Sequence, residues 1–541
     1  MLSLKIDGSL VDLSNDFSIT MNFKSPIFNE TGSFSYPFHI PNSPRNSVQF
    51  GFRHRIASTG NIYQKFEASC LWKGSLLFSG TAKLKVLNSN IFEGYILEGV
   101  GDFNYQVKNL NLRQIDFGEF AFASDMEAIM FINNGMNKYY PDRPICFPEI
   151  YNELYFDPAT EDPDQKYFNR YSNGAINPET PAGNKTLIVP MLYVRYVLQC
   201  IFSHVGYTFD DRLFTSHSDY NKLALFNSLS ANLILTDFSY SIQHMYLNLH
   251  VPNVSLGDFL KAICSFWNSA FFINTENNTI KLIPIDSVLS DETCVEFSSD
   301  IVGISIEPED QVMGFSFKQE LDGDDKVFSE VIANEDACYN KIKGAVNDID
   351  ELPQFPFAEI GEQRFVYNLN QYLWMSPQKS WTPWATPESL FVFSRHKIKQ
   401  PQDEISIGLS SLLSEGFNQL ACQCGNSLSA YNDVKPRIFF AAYNNIDFPH
   451  YMFARNRTSA FGLFYNQPNN PYVKYWKSYV DFKMSTKLVK IVKQMEFSEL
   501  NDFDFSKKYM INGIKYLVKS IQVVLKRDRI MPATLECYTC N

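Results

Sequence analysis

The stretch YMINGIKYLVKSIQVVLK, residues 509–526, leaves the chain few ways to fold. ING is a hairpin turn signal, because Asn and Gly tolerate the left-handed backbone that a two-residue turn needs. After it, Leu517, Lys519, Ile521, Val523 and Leu525 alternate with Val518, Ser520, Gln522 and Val524. That period of two predicts a long strand in a C-terminal hairpin or meander rather than a helical tail.

The same period recurs near the start, in DFSITMNF, SFSYPFHI, YQKFEASCLW, GSLLFSGTAKLKVLN and IFEGYILEGV. Short strands at this spacing predict a barrel or sandwich over residues 1–115. SFSYPFHI, the second strand of that domain, is expected to bury Phe34, Tyr36, Phe38 and Ile40. Pro37 lacks the N–H a ladder needs, so the segment belongs at a sheet edge, at a bulge or beyond the sheet. The following PNSPRN is expected to leave as an arm toward a neighbour.

With 541 residues, the chain is expected to form roughly three to five units. Residues 116–185 lose the pattern and are assigned to a loop-rich insertion. Residues 186–295 form an α/β domain with two amphipathic helices. In the first, PMLYVRYVLQCIFSHVGYTFDD, Pro190 is placed near the first turn, Leu192, Tyr196 and Ile201 on the apolar face, and Gly206 at the stop. In the second, Ser255 and Asp258 have capping-box spacing, and Leu256, Phe259, Leu260, Ile263, Phe266 and Trp267 make a core stripe that would pack on the hairpin of AFFIN and TIKLIPI. The helix-then-strand order occurs twice, which hints at an internal duplication. Residues 296–430 are a mixed β region with the Pro- and Trp-rich SPQKSWTPWATPES, and 431–541 a C-terminal β domain. The fold class is therefore α+β, β-rich and multidomain, with a small helix-plus-hairpin middle.

Composition bounds the function. Hydrophobic residues are 45%, charged ones 20%, and aromatics 15% with 47 Phe and 29 Tyr, a profile that suits β-rich cores and interfaces. A net charge of −12 and a pI near 5.3 argue against wrapping nucleic acid. The denser basic segments, Arg53, His54 and Arg55, then Lys526, Arg527 and Arg529, are too short for strong phosphate affinity and are assigned to interface pairs or strand ends. The N-terminus shows no signal-peptide pattern, and no apolar run approaches the length of a membrane helix, so neither export by a signal peptide nor membrane insertion is expected.

No catalytic, cofactor or metal residues are assigned. Among the eight histidines (His39, His54, His204, His217, His244, His250, His396 and His450), none has motif spacing to a carboxylate or Cys. His244 and His250 would share one strand face and are taken as ordinary strand residues rather than a metal pair. Cys422 with Cys424, and Cys537 with Cys540, lack second pairs at zinc spacing and are taken as reduced thiols. Asp157, Glu161, Asp162 and Asp164 lack the EF-hand pattern and are assigned to a solvated loop. Glu307 with Glu309, and Asp322, Asp324 and Asp325, sit in turn-like sequence unsuited to a raised catalytic carboxyl.

Three groups of residues carry a resemblance: GSFSYPFHIPNSPRNSVQFGF; SLGDFLKAICSFWNSAFFINTENNTIKLIP; and GLFYNQPNNPYVKYWKSYVDF together with FDFSKKYMINGIKYLVKSI. Over most of its length the chain resembles the tail hub, or baseplate hub, of tailed bacteriophages and prophages from Bacteroidetes hosts. The resemblance implies tail-tube-like β-barrel domains alternating with small α/β domains. It also implies a homo-oligomeric ring, commonly of three copies, that joins tail tube to spike or fibres in the virion after synthesis in the host cytoplasm. It implies no enzyme activity, any lysin function belonging to a partner. Two rival readings are a six-fold distal tail adaptor and a tail-associated glycan-binding or glycan-cleaving protein using Trp381, Trp384 and the central acids.

Overall fold

The computed structural model describes residues 1–307, apart from breaks of which the longest is 153–166, and residues 472–540; between them it describes short strands only. The chain divides into two units: 1–108 with 268–313 and 475–541, and 109–267 with 314–474.

The first unit is built on one 14-stranded sheet. Its strands include β1 (Leu2–Ile6), β2 (Ser18–Lys24), β3 (Ser33–Ser35), β4 (Phe38–Pro41), β5 (Phe66–Trp72), β6 (Ser75–Leu87) and β7 (Ile91–Glu98). The later strands are β8 (Ile301–Glu307), β9 (Leu488–Lys493), β10 (Lys508–Ile511), β11 (Ile514–Lys526) and β12 (Ala533–Cys540). After the two-residue strand Ser9–Leu10, the order is β1-β5-β6-β7-β3-β2-β11-β12-β9-β8. Strands from both ends of the chain thus share one sheet, joined where β2 runs antiparallel to β11 from Ser18↔Lys526 to Lys24↔Ser520. The strand path is open; a single backbone bond, Leu2 N to Arg527 O at 2.8 Å, reaches from β1 to the end of β11.

One face of this sheet covers the main core, which includes Leu4, Ile19, Phe92, Ile96, Ile491, Ile521 and Leu535. On the other face Leu488, Leu517 and Tyr538 pack with Ile285, Val288 and Phe482. The Asn512–Gly513 turn between β10 and β11 forms as the sequence predicts, with φ of 51° and 77°.

The fine phase of the strands departs from the sequence reading at bulges. Phe34 pairs with Leu97 and Phe38 with Gly94, so four steps along one strand face three along the other. The extra residue at Tyr36–Pro37 reverses the alternation. Ser35, Phe38 and Ile40 are buried, Phe34 is half-buried, and Tyr36 is 41% exposed rather than in the core. Ser35 Oγ accepts the Ile96 N–H at 2.8 Å, satisfying a donor the interrupted ladder leaves over.

Likewise Lys519 is the extra residue between the Val518 and Ser520 pairings of β11. Tyr516 and Val518 therefore share the main core with Ile521, Val523 and Leu525, while Leu517 turns to the opposite cluster. The expected single row of Leu517, Ile521, Val523 and Leu525 does not exist.

PNSPRN does not leave as an arm. Ser43 caps a helix, Pro44–Gln49, with Pro in its first turn. Buried Asn46 donates to Asp12 O at 2.9 Å and Pro41 O at 2.8 Å and accepts from Asp12 N at 2.9 Å. Residues 477–485, read as part of a β region, form a helix whose Phe482 and Tyr479 pack on the second cluster. Here aromatic and β-branched residues imitate strand composition, and tertiary packing decides.

In the second unit, residues 116–185 are not only loop: Ser124 caps the helix Asp125–Asn134 by accepting Glu127 N. The helix predicted from Pro190 begins later, at Val194, because Met191–Leu192 are taken into a strand with Ile145–Cys146. Gly206, at φ 83°, follows its end as expected. The helix Leu256–Trp267 matches its pattern: Ser255 Oγ accepts Asp258 N at 3.1 Å and donates to Asp258 Oδ2 at 2.6 Å, and all six stripe residues are buried.

Candidate functional site

The described sequence candidates are dispersed, and His39, His204 and His217 are exposed. His244 lies on the strand His244–Tyr246, stacked on Tyr246 with Nδ1 3.9 Å from Glu119 Oε2. His250 ends a 3-10 turn and is fully buried, so the two do not share a strand face as the sequence suggested; the intervening turn rotates them apart. Cys537 faces the main core and Cys540 the opposite cluster, each thiol pushed up by burial, Cys540 to about 11. Arg53 lies 4.9 Å over Phe66 and Arg55 4.5 Å over Phe52. Arg527 donates to Asn15 Oδ1 at 2.8 Å and to the carbonyls of Leu13 and Ser14. Arg53, Arg55 and Arg527 thus each contact residues of their own chain.

Among the described residues no group of three or more His, Cys, Asp or Glu is placed to hold a metal. Asp157, Glu161, Asp162, Asp164, Glu309, Asp322, Asp324, Asp325, Trp381, Trp384, Cys422 and His450 lie outside the described residues, as does SPQKSWTPWATPES. Of Glu307, at the end of β8, and Cys424, in a two-residue strand, only the backbone is described.

Two buried polar clusters in the second unit escaped sequence reasoning. Arg195 Nε and Nη2 donate to Asp211 Oδ2 at 2.8 and 2.6 Å, and Nη1 donates to Asn221 Oδ1 at 2.9 Å. Tyr140 lies beneath the guanidinium and donates to Gln199 Oε1; Tyr196 OH donates to Phe117 O at 2.7 Å. Burial raises the pKa of Tyr140, Tyr196 and Cys200, the reverse of what a poised nucleophile needs. In the other cluster, Arg143 donates to Ile132 O at 2.8 Å and Phe131 O at 3.2 Å, closing the C-terminus of the helix Asp125–Asn134 between the Phe131 and Phe147 rings. Burial lowers this arginine to about 10. Both clusters are hydrogen-bonded cross-braces.

The feature of the first unit with the form of an interaction site is β8. It ends the sheet path, and among the described residues its ladder partner is β9 alone. Ile304 and Ile306 lie opposite Ile491 and Val489, which are buried in the main core. Ile301 is still packed on that core, but Val302, Ile304 and Ile306 are 67%, 46% and 67% exposed. The core-side face of the sheet therefore runs one strand beyond its own cover. β-branched aliphatic residues on an open edge are the arrangement that soluble proteins normally blunt or bury.

No protein-family model matches the chain, and no curated protein does. Among solved structures it is similar to the 43 kDa tail protein of prophage MuSo2 from Shewanella oneidensis, at 6% identity and a TM-score of 0.32, over 99% of this chain and 95% of that one. It is also similar to the tail protein from Neisseria meningitidis MC58, at 7% identity and a TM-score of 0.29, over 99% and 95% of the two chains. At these scores the likeness assigns no role to this chain.

Proposed function

We propose that the chain is a structural subunit of a phage tail, of the hub or baseplate-hub type, that assembles with copies of itself into a ring joining the tail tube to distal spike or fibres. The observation that supports this most is where the resembling stretches meet. GSFSYPFHIPNSPRNSVQFGF supplies β3 and β4, and FDFSKKYMINGIKYLVKSI supplies β10 and the first part of β11. These stretches lie at opposite ends of the chain, yet β2 pairs with both β3 and β11. The hairpin Ser269–Asn274 with Thr279–Pro284, from the central stretch, belongs to the same unit. The N-terminal stretch, the hairpin of the central one and the FDFSKKYMINGIKYLVKSI stretch thus fall in the first unit, while residues 255–267 of the central stretch belong to the second.

In this reading the tube, spike or fibre proteins are the partners, the virion is the location, and the subunit performs no chemistry of its own. No helix among the described residues is long and apolar enough to cross a membrane. Class averages of the assembled protein test the ring: three-fold density supports the hub, six-fold density supports a distal adaptor instead, and absence of any ring overturns the proposal.

A further inference from the structure

We infer that the edge of β8 away from β9, which has no ladder partner among the described residues, pairs with β8 of a second copy of this chain, antiparallel and centred on Ile304. The inference stands on the strand itself, not on the proposed place in a tail.

From Val302 to Ile306 the order is aliphatic, small, aliphatic, small, aliphatic (Val302, Gly303, Ile304, Ser305, Ile306), the same read in either direction. A two-fold contact demands such a surface, because each residue that meets a given partner must be met by it in turn. Turning one copy about Ile304 sets Ile304 against Ile304, Val302 against Ile306 and Gly303 against Ser305 of the second copy. Aliphatic residues meet aliphatic and small meet small. Cross-strand pairs of β-branched residues are favourable neighbours in a sheet.

Charge points to the same occupant. The chain carries a net −12, which opposes contact between copies through most surfaces, yet Ile301–Ile306 contains no charged side chain. The one charged residue of β8, Glu307, would fall opposite uncharged Ile301 of the second copy, so this register sets no like charges against each other. The bulge between Ile301 and Gly303 interrupts the ladder near one end of the strand, and the strand ends at Glu307 at the other. Pairing with itself uses both edges and stops, whereas an edge left open would recruit further strands. Such a contact joins two copies across a two-fold axis and is distinct from those that would close a ring.

The test uses the full chain. Sedimentation of wild type over a concentration series is expected to show a dimer component. Ile304→Lys sets like charges directly opposite each other and is expected to weaken that component about tenfold or more. Ile304→Lys, Ile304→Cys and Ser305→Cys all change exposed side chains, and circular dichroism checks that each is folded. Under mild oxidation Ile304→Cys is expected to form an interchain disulfide above the wild-type background, because position 304 meets itself. Ser305→Cys, which would meet Gly303 of the second copy, is expected to form none. Self-association unchanged by Ile304→Lys, or cross-linking that fails at 304 or is equal at 305, overturns the inference.

Discussion

Lys493 Nζ lies 2.8 Å from both carboxylate oxygens of Glu499, with the lysine side chain fully enclosed and 5.2 Å from the Phe297 ring centroid. Glu499 also accepts the Glu496 N–H at 3.0 Å, so one carboxylate anchors the end of β9 and caps the helix Phe497–Asn501. Removing one member leaves the other charge enclosed without its partner. Lys493→Ala is expected to cost about 3 kcal/mol, the lower end for buried pairs because Glu499 retains some exposure. The double replacement Lys493→Met with Glu499→Leu is expected to recover most of that loss. Urea unfolding measures both; a single variant as stable as wild type would contradict the assignment.

Two glycines hold close approaches. A Cβ on Gly94 would stand 2.7 Å from the Lys83 carbonyl oxygen, beside the bulge in β6, and one on Gly135 would stand 1.9 Å from Arg143 Nη1. Gly94→Ala is expected to lose about 1–3 kcal/mol by overpacking against backbone that cannot yield. Gly303→Ala, with nothing within 4 Å, is expected to stay within about 0.5 kcal/mol of wild type. Equal melting temperatures for the two variants would contradict this packing.

The start of the helix Leu256–Trp267 rests on Ser255. Ser255→Ala is expected to cost about 1 kcal/mol, and Ser255→Asp much less, since an aspartate still accepts the Asp258 N–H. Comparison of urea midpoints for the two variants checks the order.

Stability is expected to fall on the alkaline side. Burial raises Cys540 to about 11 and Tyr509 to about 12, and raises Cys146, Cys537, Tyr193 and Tyr196 as well. An acid whose pKa is higher folded than unfolded holds its proton longer in the native state. Its contribution is complete below the unfolded value, about 9 for a thiol and 10 for a phenol, and is lost as pH rises through the folded value. Arg143, lowered to about 10, acts in the opposite sense above that pH, but it is one group against many. Urea midpoints should therefore decline from about pH 9 upward, with tyrosinate absorbance appearing as the chain unfolds. A midpoint that rises between pH 8 and pH 11 would contradict the burial of these groups.

How far the sequence could be read follows from locality. The Asn512–Gly513 turn and the stripe Leu256–Trp267 were legible because a turn residue or a period of 3.6 is written in adjacent positions. The bulges at Tyr36–Pro37 and Lys519 were not, because one extra residue shifts every later side chain to the other face without altering composition. Pro37 signalled an interruption but not its direction. The pairing of Arg195 with Asp211 and the placement of Arg143 depend on elements that meet only in the folded unit. The uncovered edge at Val302–Ile306 had the composition of an ordinary strand; only its place at the end of the sheet distinguishes it.

The central claim, a structural subunit of a phage tail, is tested most directly by locating the chain in purified particles. Mass spectrometry of intact virions, with labelled antibody imaged on the tail, should find the chain in a small fixed number of copies at the distal end of the tube. Absence of the chain from purified virions, or its presence only as free protein in the lysate, would contradict the account.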